Sequence, residues 1–100
     1  MTQPASPATP LDSLRNVGPQ SVAMLATLGI RSVEDLEAAG TVAVYHRLKA
    51  AFPKRVTLMS LYALEAGLME LDVLVLPPEI KDALRAAAAV PPLRDDPARR

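Results

Sequence analysis

The apolar residues of this chain recur at helical spacing in short segments that glycine and proline separate. No segment shows the alternation of apolar and polar residues that is typical of a half-buried strand. Pro19 suits the first position of a helix and Gly29 suits the left-handed residue that follows its end, so this pattern predicts a helix over about 19–28. In the next segment, Ser32 is suited to cap a helix that Gly40 ends.

Three further helices are predicted by the same signals. Thr41 is expected to cap a helix that lies on the surface. The next segment, about 58–69, is apolar nearly all round, which is typical of a core helix surrounded by others. The last helix should begin near Pro78 and end before Pro91. With a short first helix from Leu11, these segments predict an all-α fold of five or six short helices.

Length and composition fit one domain. The chain has 100 residues, of which 50% are hydrophobic and 22% are charged, and this is the size and balance of a single globular unit. Both ends are rich in proline, so we expect residues 1–10 and 91–100 to be disordered and residues 11–90 to form the helical domain. The most apolar region, 56–76, contains three acidic residues and does not predict a membrane span. With no cysteine and no secretory signal, we expect a cytoplasmic protein.

The stretch 14–22 is the most informative, because it joins the first helix to the second through Gly18-Pro19. It resembles the turn of helix-hairpin-helix proteins, in which backbone amides are presented to a nucleic-acid phosphate. Asn16 stands where the first glycine of that turn is usual, and asparagine tolerates the left-handed conformation. Gln20 stands where a Lys or Arg is frequent. We expect Gly18 to have a positive φ or a very close backbone neighbour. A plain connector between two helices fits the same residues.

Several segments follow the hairpin in a characteristic order and spacing: Leu28-Gly29-Ile30, Ser32 to Leu36, Gly40 to Lys49, Leu61 to Leu68, and Leu76-Pro77 with Lys81. Together with the hairpin, they make the chain similar to the TfoX C-terminal domain family over residues 11–88. This resemblance implies a helix-hairpin-helix core of the SAM-like type. It also implies a bacterial regulator that acts with a cyclic-AMP-responsive activator on genes for competence in DNA uptake. Full-length members carry an additional α/β domain, and we expect this chain to be a free-standing C-terminal domain.

Charge bears on the nucleic-acid interpretation in two ways. The net charge is zero, from 11 basic and 11 acidic residues, so the chain as a whole lacks the attraction that dominates non-specific DNA binding. Residues 38–64, however, contain basic residues and no acid. They predict either a solvated helix face or a patch that faces phosphate. The candidate nucleic-acid-binding residues are therefore Gly18, Gln20 and Ser21 of the hairpin, with Arg47, Lys49, Lys54 and Arg55.

The residue inventory argues against an enzyme. The chain has no cysteine, no P-loop and no dinucleotide-binding glycine pattern, and its single histidine, His46, is expected to be exposed. We expect no metal, no cofactor and no small-molecule substrate. Met24, Met59 and Met69 are expected to fill gaps in the core. Two kinds of binding module remain open: a regulatory module that weakly contacts DNA or transcription proteins, and a protein-interaction or dimerisation module without nucleic-acid contact. A homo-oligomer is also left open.

Overall fold

The computed structural model describes residues 9–90. Its elements are, in chain order, a first 3-10 turn (Leu11–Ser13), α1 (Pro19–Thr27), α2 (Val33–Ala39), α3 (Thr41–Ala51), α4 (Leu58–Leu68), a second 3-10 turn (Val73–Val75) and α5 (Pro78–Ala89). Within these residues the only β-type pairing is an isolated bridge between Pro10 and Ser32. The predicted all-α fold is therefore confirmed.

The two segments predicted to be disordered fall mostly on residues 1–8 and 91–100, which lie outside the described part of the chain. Thr9 is described and is bonded to α2. Its amide and its hydroxyl donate to the two carboxylate oxygens of Glu34, at 2.9 and 2.7 Å, and its carbonyl accepts from the Val33 amide at 2.9 Å. The Thr9 hydroxyl, followed by the Thr9 amide, holds the pKa of Glu34 below its ordinary value.

Local capping signals explain where the first two α-helices begin and end. Pro19 is the first residue of α1, and Gly29, with φ of 82°, follows its end. The Ser32 hydroxyl accepts the Asp35 amide at 3.0 Å and caps α2. Gly40, with φ of 89°, turns the chain directly into α3. A positive φ disfavours side chains larger than glycine, so this abrupt junction depends on Gly40.

The predicted role of Thr41 as a helix cap is wrong. Thr41 is the first residue of α3, and Gly40 precedes it at the capping position. The Thr41 side chain is buried and its hydroxyl donates to the Glu65 carboxylate of α4 at 2.8 Å. Burial explains the difference, because a hydroxyl and a carboxylate inside the fold must satisfy one another. The bond joins the start of α3 to α4.

Helix α4 is the central element, as its apolar composition predicts. It buries residues on several sides of the helix, namely Leu61, Tyr62, Leu64, Ala66 and Gly67, and it packs against α3, α5 and the second 3-10 turn. Of the three methionines assigned to the core, Met24 is half-buried against it, whereas Met59 and Met69 are exposed at the two ends of α4. The core assignment of Met59 and Met69 is therefore wrong: Met59 lies in the first turn of α4 and Met69 caps its end, and the two are 52% and 39% exposed.

No helix in the part of the chain from 9 to 90 combines the length and the apolar character needed to cross a membrane.

Candidate nucleic-acid interface

In the turn that leads into α1, the left-handed residue is Asn16 and not Gly18. Asn16 has φ of 69°, whereas Gly18 has φ of −98° and ψ of −178° and forms the N-terminal cap position of α1. No heavy atom lies within 4 Å of the place where a Gly18 Cβ would be. Both expectations for Gly18 are wrong, because one left-handed residue at Asn16 already turns the chain and Gly18 enters α1 in the extended conformation usual at a cap.

The element before this turn is shorter than a hairpin helix. It is the first 3-10 turn, Leu11–Ser13, with only Leu11 buried. The close approach that a hairpin glycine would provide is found instead at Gly67 of α4, where a Cβ would lie 2.7 Å from the Arg15 carbonyl oxygen. The turn therefore packs directly on the α4 backbone. The helix-hairpin-helix core stays a prediction.

Asn16 also anchors the turn to the chain between α4 and α5. Its side-chain amide donates to the Leu71 carbonyl at 2.9 Å, and its side-chain oxygen accepts the Val73 amide at 3.1 Å. Next to it, Arg15 and Asp72 form an ion pair at 3.9 Å. Sequence reasoning treated Asn16 only as a substitute for glycine. Its second role has no local signal, because its partners lie more than fifty residues further along the chain.

The first turn of α1 has backbone amides free to bind an anion. The first four amides of a helix have no acceptor within the helix, and Pro19 has no amide hydrogen to satisfy. Gly18 provides no side-chain cap. Within residues 9–90, the amides of Gly18, Gln20 and Ser21 have no hydrogen-bond acceptor. Gly18 and Gln20 are exposed and Ser21 is half-buried, so an anion can reach this turn from solvent.

The four candidate basic residues divide into two pairs. Lys49 donates to the carbonyls of Pro53 and Val56, at 3.1 and 2.8 Å, and thereby closes the turn that follows α3. Arg47 donates to the Leu28 carbonyl at 2.8 Å, just beyond the end of α1. Both side chains are committed to backbone carbonyls of the fold. A lysine in the last turn of a helix commonly binds nearby carbonyls, and this signal could have identified the role of Lys49.

The other pair, Lys54 and Arg55, lies in the turn between α3 and α4, and both residues are exposed. We call residues 52–57 the basic connector. A small cavity of about 30 Å³ is lined by Ser21 of α1 and by Val56 of the basic connector, among others. This cavity brings Ser21 of α1 next to Val56 of the basic connector. Arg47 lies apart from them, because its bond to Leu28 places it at the opposite end of α1.

The comparison with known families covers the part of the chain that contains both the turn before α1 and the basic connector. The family model of the TfoX C-terminal domain matches residues 8–88, from before the first 3-10 turn into the end of α5. This chain belongs to the TfoX C-terminal domain family. The predicted family is confirmed, and it is a family of regulatory type. No curated protein and no solved structure gives a significant match.

In this TfoX C-terminal domain, the single histidine has a structural partner. His46 is half-buried, and its Nε2 atom lies 3.0 Å from the Ala88 carbonyl near the end of α5. The expectation of an exposed His46 is wrong, because α5 folds back over this side of α3. Among residues 9–90, no three His, Asp or Glu side chains come together in a group that could hold a metal ion.

Proposed function

We propose that this TfoX C-terminal domain is a non-enzymatic regulatory module that contacts the phosphate backbone of DNA. The contact surface consists of the first turn of α1 and the basic connector. One observation carries the proposal: Ser21, in the first turn of α1, and Val56, in the basic connector, line the same small cavity, so these two elements are neighbours in the fold. A phosphate there would meet backbone amides, which favour anions at a helix start, and the cations of Lys54 and Arg55.

The distribution of acidic residues supports this surface. No acid occurs in residues 13–33 or 38–64, and these two stretches contain α1, α3 and the basic connector. The acids lie in α2 and from Glu65 onward, apart from Asp12. These stretches therefore carry basic residues without acids, and no carboxylate of α1, α3 or the basic connector would face the phosphate.

The expected contact is weak and independent of DNA sequence. Phosphate contacts fix position but do not read bases. Two exposed cations correspond to about two neutralised phosphates, for which the logarithm of affinity falls with the logarithm of salt concentration with a slope of about −2. Such a contact suits a regulator that works beside a second DNA-bound protein, where a short tether or partner raises its local concentration.

Fluorescence anisotropy with a labelled DNA duplex, measured over a series of salt concentrations, tests the proposal. The double variant Lys54→Gln/Arg55→Gln should weaken binding at low salt at least about tenfold and bring the salt slope close to zero. The matched control is Arg31→Gln/Lys81→Gln, which removes the same charge from residues outside the proposed surface. It should change affinity less than about threefold, because only the long-range component is altered.

A second variant should increase the affinity for DNA. Gln20→Lys adds a cation at the exposed first turn of α1 and should strengthen binding and steepen the salt slope by about one. Arg47 and Lys49 are left unchanged, because their bonds to backbone carbonyls make their loss a stability effect as well. If the parent bound no DNA at low salt, a module that contacts only protein would replace the proposal. If both double variants bound DNA equally, the proposed contact surface would be wrong.

A further inference from the structure

The chain has few aromatic side chains, and the fold keeps them away from solvent. It contains two tyrosines, one phenylalanine and no tryptophan. Tyr45 and Tyr62 belong to the core and are only 8% and 9% exposed. Phe52 is half-buried and packs against the core, and the His46 ring is half-buried beside α5. Among residues 9–90, therefore, no aromatic ring lies free on the surface.

Aromatic rings are important for binding single-stranded nucleic acid. Proteins that bind single strands without sequence preference combine a basic groove with aromatic side chains on which the bases stack. One stacked base raises affinity from about fivefold to more than about 100-fold. In a duplex, the bases already stack on one another, and the phosphates are the groups that face outward. A surface of cations and amides without a ring therefore gains nothing from the unpaired bases of a single strand.

The cations of the proposed contact surface are held on a fixed backbone. Lys49 binds the carbonyls of Pro53 and Val56, at 3.1 and 2.8 Å, and Val56 is fully buried. Lys54 and Arg55 lie between these two anchored residues. The double helix fixes the positions of its phosphates before any protein binds. A single strand is flexible and must be ordered on a rigid surface, at a cost in entropy.

Charge density gives the same preference. A DNA duplex carries one negative charge per about 1.7 Å of its axis, counting both strands. For each neutralised phosphate, the logarithm of affinity falls with the logarithm of salt concentration by about 0.9 for a duplex and about 0.7 for a single strand. For about two phosphates, the slopes differ by about 0.4. If both forms bind equally at about 1 M salt, the duplex binds about sixfold more tightly at about 10 mM.

We propose that the contact surface of this domain selects double-stranded over single-stranded DNA. This selectivity rests on the DNA contact proposed above. It follows from cations that are fixed on the basic connector, together with rings that the core keeps out of reach of an unpaired base. The planar guanidinium of Arg55 is a second group that can stack on a base, so its contribution is tested separately.

Fluorescence anisotropy measures the selectivity, with a labelled duplex of about 20 base pairs and with one of its strands alone, at about 10 mM salt. The strand has a sequence that does not pair with itself. The parent should bind the duplex about sixfold more tightly than the single strand. Arg55→Lys keeps the charge and removes the planar group, and it should leave this ratio unchanged within about twofold.

A variant with an added ring gives the sharper test. Gln20→Trp places an indole on the exposed first turn of α1. It should raise affinity for the single strand at least about fivefold and change affinity for the duplex less than about twofold. Gln20→Leu is the matched control, because it adds apolar surface without a ring, and it should keep the preference of the parent.

The outcomes separate the two proposals. A parent that bound neither form at low salt would overturn the DNA contact and the selectivity together. A parent that bound the single strand as tightly as the duplex would leave the DNA contact standing and overturn the selectivity. If Gln20→Trp strengthened binding to both forms equally, or to neither, the lack of an accessible ring would not be the cause of the preference, and the inference would be overturned.

Discussion

Substitution of Asn16 tests how the turn before α1 is held. Asn16→Gly keeps the left-handed backbone, which glycine adopts freely, and removes both side-chain bonds to Leu71 and Val73. One intramolecular hydrogen bond contributes a net ~0.5–1.5 kcal/mol, so the two together contribute ~1–3 kcal/mol. Since Asn16 is exposed, water replaces part of each bond. We therefore expect the free energy of unfolding to fall by about 1–2 kcal/mol.

For a domain of this size, such a loss lowers the melting temperature by about 5–10 °C. Thermal denaturation followed by far-UV circular dichroism measures it. Glu70→Gly is a matched control, because Glu70 is also exposed and left-handed, with φ of 61°. Its carboxylate forms no ion pair with any residue from 9 to 90. Glycine at Glu70 relieves strain while adding entropy to the unfolded chain, and the two effects nearly cancel.

The difference between the two glycine variants therefore isolates the bonds made by the Asn16 side chain. If Asn16→Gly and Glu70→Gly had the same melting temperature, the two bonds would contribute nothing and the turn would be held by packing on Gly67 alone.

Three other predictions follow from single contacts. Gly67→Ala places a methyl group 2.7 Å from the Arg15 carbonyl oxygen and should lower the free energy of unfolding by about 1–3 kcal/mol; an unchanged urea midpoint would show that the turn moves aside. Gly18→Ser adds a capping hydroxyl in open space and should leave the melting temperature equal or slightly higher, so a marked decrease would contradict the described backbone. The bonds from Thr9 lower the pKa of Glu34 below 4.5, so they stabilise the fold above that pH and are lost as the pH falls through the lowered pKa. Glu34→Gln should therefore lose less stability on acidification than the parent, and equal acid sensitivity in urea unfolding would count against this bond.

The helices could be predicted because their limits are set by nearby residues. Pro19, Ser32 and Gly40 act within one turn of the helix end that they define, and the uniformly apolar composition of α4 indicates its central place. The contacts that could not be predicted join residues far apart in sequence. Thr41 has a hydroxyl that suits a cap as well as a bond between helices, and only packing against Glu65 decides between the two.

In the candidate site, too, the features set by neighbouring residues could be predicted and the contacts between distant residues could not. Gly18, Gln20 and Ser21 were placed correctly at a helix start, because the position follows from the chain itself. The predicted role of Arg47 and Lys49 rests on their charge alone. Charge does not reveal whether a long side chain reaches solvent or a backbone carbonyl. The bonds of Arg47 and Lys49 depend on where the fold places the Leu28 and Val56 carbonyls beside α3.

The sorting of charge among the helices gives this neutral molecule an electric dipole moment. Helices α1 and α3 have no acid, while α2 and the segment from Glu65 to Asp82 hold most of the acids. In the field gradient beside a polyanion, such a molecule rotates until its basic side leads and is then attracted, although its net charge is zero. A cation-exchange column should accordingly retain the domain near its isoelectric pH of about 6.6, where a neutral protein of evenly mixed charge would elute.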